Sequence, residues 1–224
     1  MNQTPVHDNH NADLLSLIPV SSLNVLEFGC SSGALAREYK KISPQARHVG
    51  IEITEEYAAL ARRFCDEVLV LDADSTSDSF FDGQSSVDCW VFGDVLEHLK
   101  DPWRILRQIR RVMASGCVVA CIPNAQHWSV QARLCAGVFR YQDSGLLDRT
   151  HLRWFTRQTI LELFTSCGFR IDAGKPRIFN ETDREVFLKG IHGVREMAKS
   201  LGLNPEEAER DSLPLQYVVR AVPA

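Results

Sequence analysis

VLEFGCSSGALAREYK, residues 25–40, decides the fold. An apolar run reaches a carboxylate at Glu27. Two glycines follow four apart, Gly29 and Gly33, and a helical pattern begins. In an open α/β sheet, ligands bind at the carboxyl ends of strands, so this turn is the first candidate seat. A phosphate loop needs GxxxxGK[ST]; the lysine is absent here and the spacing is wrong. A dinucleotide fingerprint needs GxGxxG. Counted from Gly29, its second and third glycines fall on Ser31 and Ala34, so the close backbone approach to a pyrophosphate is lost. What remains is Glu-x-Gly-x-x-x-Gly, either a seat for some other nucleoside or a plain strand-to-helix turn.

Outward from this turn, strand and helix patterns alternate. NVLEFG (24–29) reads as a buried strand, HVGIEI (48–53), EVLVLDA (67–73) and VDCWVFGD (87–94) as strands, and GCVVACIP (116–123) as a fifth, continuously apolar one. ALAREYKK follows the first as a helix. Thr54 is placed to cap the next helix, with Glu55 and Glu56 in its first turn. Asp101-Pro102 marks a third helix start. Continuous apolar strands separated by helices predict an open, mostly parallel sheet with right-handed crossovers. Beyond Pro123 the pattern breaks: 124–155 reads as irregular. A helix resumes at Thr156 and ends at Gly168, FRIDAGKPRIF reads as a strand, and LQYVVRAV (215–222) as the last one. Residues 181–211 read as one or two amphipathic helices interrupted near Gly202 and Pro205. The expectation is a single domain over 1–224 with two embellishments, 124–155 and 181–211.

The composition, 45% hydrophobic and 24% charged over 224 residues, suits a soluble α/β domain. The net charge is −4 and no basic block stands out, so a nucleic-acid partner is not expected. No apolar run reaches the roughly 18–20 residues of a membrane span. The polar start MNQTPVHDNHNADLL does not read as a secretory signal. Seven cysteines, an odd count without a CxxC pair, read as reduced thiols used as small core residues, which fits a cytoplasmic protein. No His, Cys and carboxylate set has metal-ligand spacing, so no metal is expected.

The glycine turn resembles the first motif of class I S-adenosylmethionine (SAM)-dependent methyltransferases. Three later stretches strengthen the resemblance: Glu52 ends the second strand, LDADS follows the third, and VDCWVFGDVLEHLKDPW is similar to the family's fourth-strand signature. The resemblance implies an α/β, Rossmann-like fold: a seven-stranded, mostly parallel sheet, helices on both faces and an antiparallel C-terminal strand. It also implies a cofactor seat. Glu27, Gly29, Cys30, Ser31 and Gly33 form the turn, Glu52 meets the ribose with Ile53 beside it, Asp72 and the backbone at Ala73 meet the adenine, and Asp74 either joins them or simply caps the turn. Asp94, Val95 and His98 pass beneath the methionine part. Many members carry glycine where Ser31 stands. An acid-lined cleft suits a sulfonium cation, and S-adenosylhomocysteine (SAH) would be the product.

The string PNAQHWSV…DSGLLDRTHLRWFT, with LQYVVRA at the end, looks like a bacterial subgroup often associated with glycosyltransferases. That likeness implies a small-molecule or glycan acceptor. His151 is the first choice for a general base toward a hydroxyl, with His127 second, since an imidazole titrates near neutrality. Either could instead pin its loop. Trp128, Tyr141 and Trp154 could form a stacking wall, and Asp143, Asp148 and Arg149 could bind acceptor hydroxyls; loop packing and loop salt bridges explain them equally well. The apolar stripe Phe187, Leu188, Ile191, Val194, Met197 and Leu201 fits core or homodimer packing, or an acceptor lid. Met1–Pro19 could close over the cofactor. The expected activity is methyl transfer to a hydroxyl of a sugar, glycan precursor or other small molecule. Two alternatives stay open: N-methylation of a small amine, and a SAM-binding partner of a glycosyltransferase system that does no chemistry.

Overall fold

The computed structural model describes residues 6, 8–180 and 184–224, without the side chains of 184, 187 and 190–192. Seven strands form one sheet: β1 (Asn24–Phe28), β2 (Arg47–Glu52), β3 (Glu67–Val70), β4 (Cys89–Gly93), β5 (Cys117–Pro123), β6 (Phe169–Arg177) and β7 (Gln216–Pro223). Their order is β3-β2-β1-β4-β5-β7-β6. The first five are mutually parallel, and β7 runs antiparallel to both β5 and β6. Strand order reverses at β1, which has β2 on one side and β4 on the other. The crevice of an open sheet lies at such a switch point, so the loops after β1 and β4 face it together.

Side-chain alternation divides the core into two layers. Leu26, Phe28, Trp90, Phe92, Val118 and Ala120 pack toward α4 (Asp78–Asp82), α5 (Pro102–Val112) and α7 (Arg157–Ser166). Phe28 stacks on Phe92 with ring centroids 4.9 Å apart. Val25, Cys89, Val91, Cys117, Val119 and Cys121 face α1 (Ala12–Leu17) and α2 (Ala34–Ile42) instead. Cys30 and Cys65 pack between α2 and α3 (Glu55–Ala61). All seven cysteines are free thiols and six are buried, the role expected of them; Cys135 is exposed.

The helix starts follow local chemistry. Asp101 Oδ1 accepts from Arg104 N at 2.9 Å, ahead of Pro102. Thr156 and Thr159 form a reciprocal capping box. Gly168 follows α7 with φ +83°, a left-handed residue that glycine adopts without strain. Thr54 precedes α3 but makes no side-chain cap bond; its N–H donates instead to Glu52 Oε1 at 3.4 Å.

Residues 124–155 are not irregular throughout, because α6 (Trp128–Cys135) lies within them. Its apolar periodicity is weak, so the sequence pattern does not announce it. Asn124, fully buried, ends β5 and ties this segment to the approach to β7: Nδ2 donates to Asp211 O and Pro214 O, both at 2.8 Å. The second embellishment holds α8 (Arg184–Ser200) and α9 (Pro205–Arg210). The predicted stripe on α8 is not core: Met197 and Leu201 are 61% and 69% exposed. Phe187 and Ile191 lie outside the described side chains. Leu14, Leu17 and Ile18 of the N-terminal segment are buried, and Asp8 pairs with Arg37 of α2 at 2.6 Å. Residues 1–5 and 7 of the expected Met1–Pro19 lid lie outside the described residues. Among the described residues, no helix is long and apolar enough to cross a membrane.

Candidate functional site

The turn after β1 is built from three left-handed residues: Gly29 (φ +68°), Ser31 (φ +48°) and Gly33 (φ +76°). A Cβ on Gly29 would lie 2.6 Å from Val95 Cγ2, so bare backbone faces the β4 turn. A Cβ on Gly33 would lie 3.0 Å from Ala61 Cα and 3.1 Å from Ala61 O, because α2 and α3 approach closely there. Ser31 occupies a conformation that costs a non-glycine residue about 1–2 kcal/mol. That cost is the physical reason a glycine would be favoured at this position. Ser31 N donates to Glu52 Oε2 at 2.9 Å, which holds the strained residue in place.

The acids divide by task. Glu52 is 1% exposed, and its other oxygen accepts from Ile53 N at 2.8 Å. The carboxylate therefore clamps the β1 turn to the end of β2, while Ile53 stands exposed beside it. Glu27 is also buried, and His48 Nε2 lies 2.9 Å from its Oε2. Cys30 points away from the crevice, toward Gly50 and Cys65. Asp72 accepts from Asp74 N at 2.9 Å, and Asp74 accepts from Lys100 N at 3.0 Å. Arg104, which the sequence reading missed, donates to Thr76 O at 2.9 Å and reaches Ala73 O and Asp74 O. That guanidinium fixes the 73–76 turn from α5; only its position one turn into a helix after the acidic turn hinted at this.

Asp94 leaves β4 with φ +56°, and Gln216 Nε2 donates to its Oδ1. A short 3-10 turn follows over Leu96–His98. Glu97 within it was quoted in the DVLEHL string yet not singled out. It is 1% exposed, and neither carboxylate oxygen has a hydrogen-bond partner. Burial, then the charge of Asp94, pushes its carboxyl well above the usual carboxylate range. The Glu97 carbonyl accepts from Leu152 N (2.9 Å) and Arg153 N (3.0 Å), which registers the 150–153 strand of loop against this turn. His98 and His151 consequently meet edge to face, ring centroids 4.7 Å apart. His151 Nε2 lies 4.0 Å from Glu97 Oε1. Burial lowers both imidazoles from their ordinary range, and the neighbouring His98 lowers His151 further. The shift favours the neutral form of His151, the form in which an imidazole can take a proton.

The remaining acceptor-side residues separate. His127 is 1% exposed and caps α6, its Nδ1 lying 2.8 Å from Ser129 Oγ. Trp128 is buried against His127, with ring centroids 5.3 Å apart. Tyr141 and Trp154 are exposed and joined through Phe139, at centroid distances of 5.7 and 6.3 Å. Phe139 was not predicted; its spacing two residues before Tyr141 was the available signal. Asp143 and Arg149 pair with each other at 2.5 Å on the surface. Asp148 is buried. Burial works against its ionisation, yet the Thr150 hydroxyl and N–H, at 2.7 and 2.8 Å, hold its carboxyl below the usual range. A small cavity of about 120 Å³ lies between α6 and residues 142–147; no predicted cofactor residue lines it.

The comparisons agree with this geometry. A family model described as a methyltransferase domain matches residues 8–173. An S-adenosylmethionine-dependent methyltransferase from Mesorhizobium loti superimposes with a TM-score of 0.57 at 18% identity, over 93% of this chain and 95% of that one. The O-methyltransferase of a trans-AT polyketide synthase from Brevibacillus brevis, solved with S-adenosyl-L-homocysteine, gives 0.55 at 16% identity, over 95% and 71%. A 37.1 kDa protein of transposon TN4556 from Streptomyces fradiae is 32% identical over 97 residues, 42% of this chain. That match spans only 28% of the Streptomyces protein's own length. The switch point, the left-handed turn and the family match together place this chain in the methyltransferase domain family, with the fold of class I SAM-dependent methyltransferases.

Proposed function

We propose that the protein transfers a methyl group from SAM to a hydroxyl of a sugar, glycan precursor or other small molecule, as a cytoplasmic enzyme with all 224 residues forming one catalytic unit. The single observation that carries the hydroxyl reading is His151: a buried imidazole, its Nε2 4.0 Å from Glu97 Oε1, held at the β4 end of the crevice.

The chain's residues fit the cofactor. The left-handed 29–33 turn leaves bare backbone facing Val95, where any side chain at Gly29 would collide. Glu52, Asp72, Asp74 and Asp94 follow the ends of neighbouring strands and suit a cation carrying hydroxyl, amino and ammonium donors. Bound SAM supplies an electrophilic methyl group on a sulfonium. The protein aligns the acceptor in line with it and excludes water. Tyr141, Phe139 and Trp154 offer apolar ring faces to a sugar or aromatic ring. His151 Nε2 receives the hydroxyl proton as the oxygen attacks.

The test uses methyl-labelled SAM, purified protein and a fractionated extract of the source organism. Label entering a hydroxyl of polymer, lipid-linked glycan or a small molecule supports the reading and separates those acceptor classes. Label on an amine overturns the hydroxyl assignment. SAH binding by calorimetry with no label in any fraction overturns the catalytic assignment. His151→Gln then removes the alkaline-rising limb of the pH–rate profile if the imidazole takes the proton.

A further inference from the structure

We propose that Glu97, His98 and His151 bind one divalent transition cation, of the zinc, manganese or iron(II) kind, at the end of β4. Each residue offers one ligand atom, and the three atoms lie within 4.8 Å of one another. A point equidistant from three atoms at that spacing lies about 2.8 Å from each, against roughly 2.0–2.2 Å in a zinc site. Side-chain rotations of under an ångström close the difference.

Proton bookkeeping carries the inference. Thr150 Oγ1 has one hydrogen, and it donates to Asp148 Oδ1 at 2.7 Å. Its 3.0 Å contact with His98 Nδ1 therefore requires Nδ1 to carry the proton. The second neighbour of Nδ1, the Thr150 carbonyl at 3.3 Å, can also only accept. His98 is left with its lone pair on Nε2. His151 Nδ1 faces the Leu146 carbonyl at 3.3 Å, which leaves its lone pair on Nε2 as well. That Nε2 is the atom 4.0 Å from Glu97 Oε1. Two imidazole lone pairs and a buried carboxyl group with no hydrogen-bond partner thus share one cluster, and either a cation or the proton of Glu97 itself must sit among them. Clustered acceptors repel unless a cation or a proton sits between them.

The surroundings favour the cation. Metal-bound histidines characteristically donate their other N–H to a carbonyl or carboxylate, which fixes the tautomer. His151 does so to Leu146 O, and His98 does so through Thr150 to Asp148. Backbone bonds from Leu152 and Arg153 to the Glu97 carbonyl hold the two halves of the site in register. Two neutral nitrogens and one carboxylate suit zinc, iron(II), manganese or cobalt better than magnesium or calcium. Three protein ligands leave a coordination position for water or an acceptor hydroxyl. The cation's use toward a hydroxyl rests on the functional reading above; its binding does not. A coordinated hydroxyl is more acidic; in the loaded site His151 Nε2 is a ligand, which replaces the proton-accepting role it has in the metal-free reading above, and the proton leaves to solvent.

The test is metal uptake. Protein stripped by a chelator is dialysed against Co²⁺ or Zn²⁺, with the Co²⁺ absorption spectrum and elemental stoichiometry as readouts. One equivalent is expected, with a cobalt spectrum showing nitrogen coordination. Glu97→Gln and His151→Gln should each weaken uptake by roughly 100-fold or more, and Thr150→Val by about 10-fold. Zn²⁺ should raise the melting temperature of the wild type and not of the Gln variants. SAH titration of every variant confirms that the fold persists. Substoichiometric uptake, or uptake unchanged in both Gln variants, overturns the proposal and leaves Glu97 a protonated buried acid. Stoichiometric cobalt with no methylated hydroxyl keeps the cation site and removes the functional reading; methylated hydroxyls without metal uptake do the reverse.

Discussion

Glu52→Gln isolates the clamp that holds the cofactor turn. The wild-type carboxylate accepts from Ser31 N at 2.9 Å, Ile53 N at 2.8 Å and Thr54 N at 3.4 Å. Glutamine keeps the shape but supplies one acceptor oxygen and one amide donor. If the oxygen stays with Ile53 N and Thr54 N, the new NH₂ faces Ser31 N–H, donor against donor. One hydrogen bond to a charged group is lost, about 1.5–3 kcal/mol. Ser31 also loses the bond that helps hold it at φ +48°. A destabilisation of about 2 kcal/mol follows, which for a chain of this size lowers the melting temperature by about 4–8 °C. Circular dichroism melts measure that, and calorimetric titration with SAH measures the second consequence. If Glu52 also meets the ribose, affinity should fall by roughly 10-fold or more. A melting temperature within about 1 °C of wild type would refute the clamp. A lowered melting temperature with unchanged SAH affinity would keep the clamp and remove the ribose contact.

Gly33→Ala should be more damaging than a usual surface change, by roughly 2 kcal/mol or more, because φ is +76° and the new Cβ meets Ala61 backbone at 3.0 Å; a wild-type denaturant midpoint in the variant would count against that packing. Tyr39 is fully buried and donates to Pro19 O and Ser22 O, both at 2.8 Å; burial pushes its hydroxyl up to about 12. The folded state holds that proton more tightly than the unfolded chain, whose tyrosines titrate near 10. Its contribution to stability is therefore present below about pH 10 and is lost as pH rises toward 12. An ultraviolet titration showing every tyrosine ionising near 10 in the folded protein would disprove this. Trp154→Ala should raise KM for the acceptor found by labelling several-fold and leave SAH affinity alone; an unchanged KM would remove the exposed ring trio from the acceptor's path.

How much was legible depends on the range of the interactions. β1, β2, β4 and β5 were readable because strands covered on both faces must be continuously apolar and must end at turns; β3, at the sheet edge with Val70 45% exposed, was readable from its short apolar run alone. Asp101-Pro102 and Thr156 were readable because a cap acts within four residues. α6 was not, since its start is fixed by His127 and its place by Gln131 Nε2 reaching Ser212 Oγ at 2.8 Å, 81 residues away. The stripe on α8 shows the opposite limit: 3.6-residue periodicity says which positions share a face, and burial within the chain depends on what arrives to cover them. Met197 and Leu201 share the face and stay exposed.

The same limit explains the acids. From spacing alone, Glu27, Glu52, Asp72 and Asp94 read as four equivalent carboxylates at strand ends. The structure gives them different partners: an imidazole for Glu27, a set of backbone amides for Glu52, a following turn for Asp72, and the Gln216 amide for Asp94. Only the fold decides which acid braces and which faces the crevice, since His48, Ser31 and Gln216 reach Glu27, Glu52 and Asp94 from other strands or loops. Glu97 is the extreme case. It stands among Val95, Leu96 and Leu99, so the chain by itself predicts a carboxylate turned outward. The 150–153 segment covers it instead and brings His151 alongside. A site made by two segments more than 50 residues apart has no spacing to recognise, and metal-ligand spacing was the signal the sequence reading relied on.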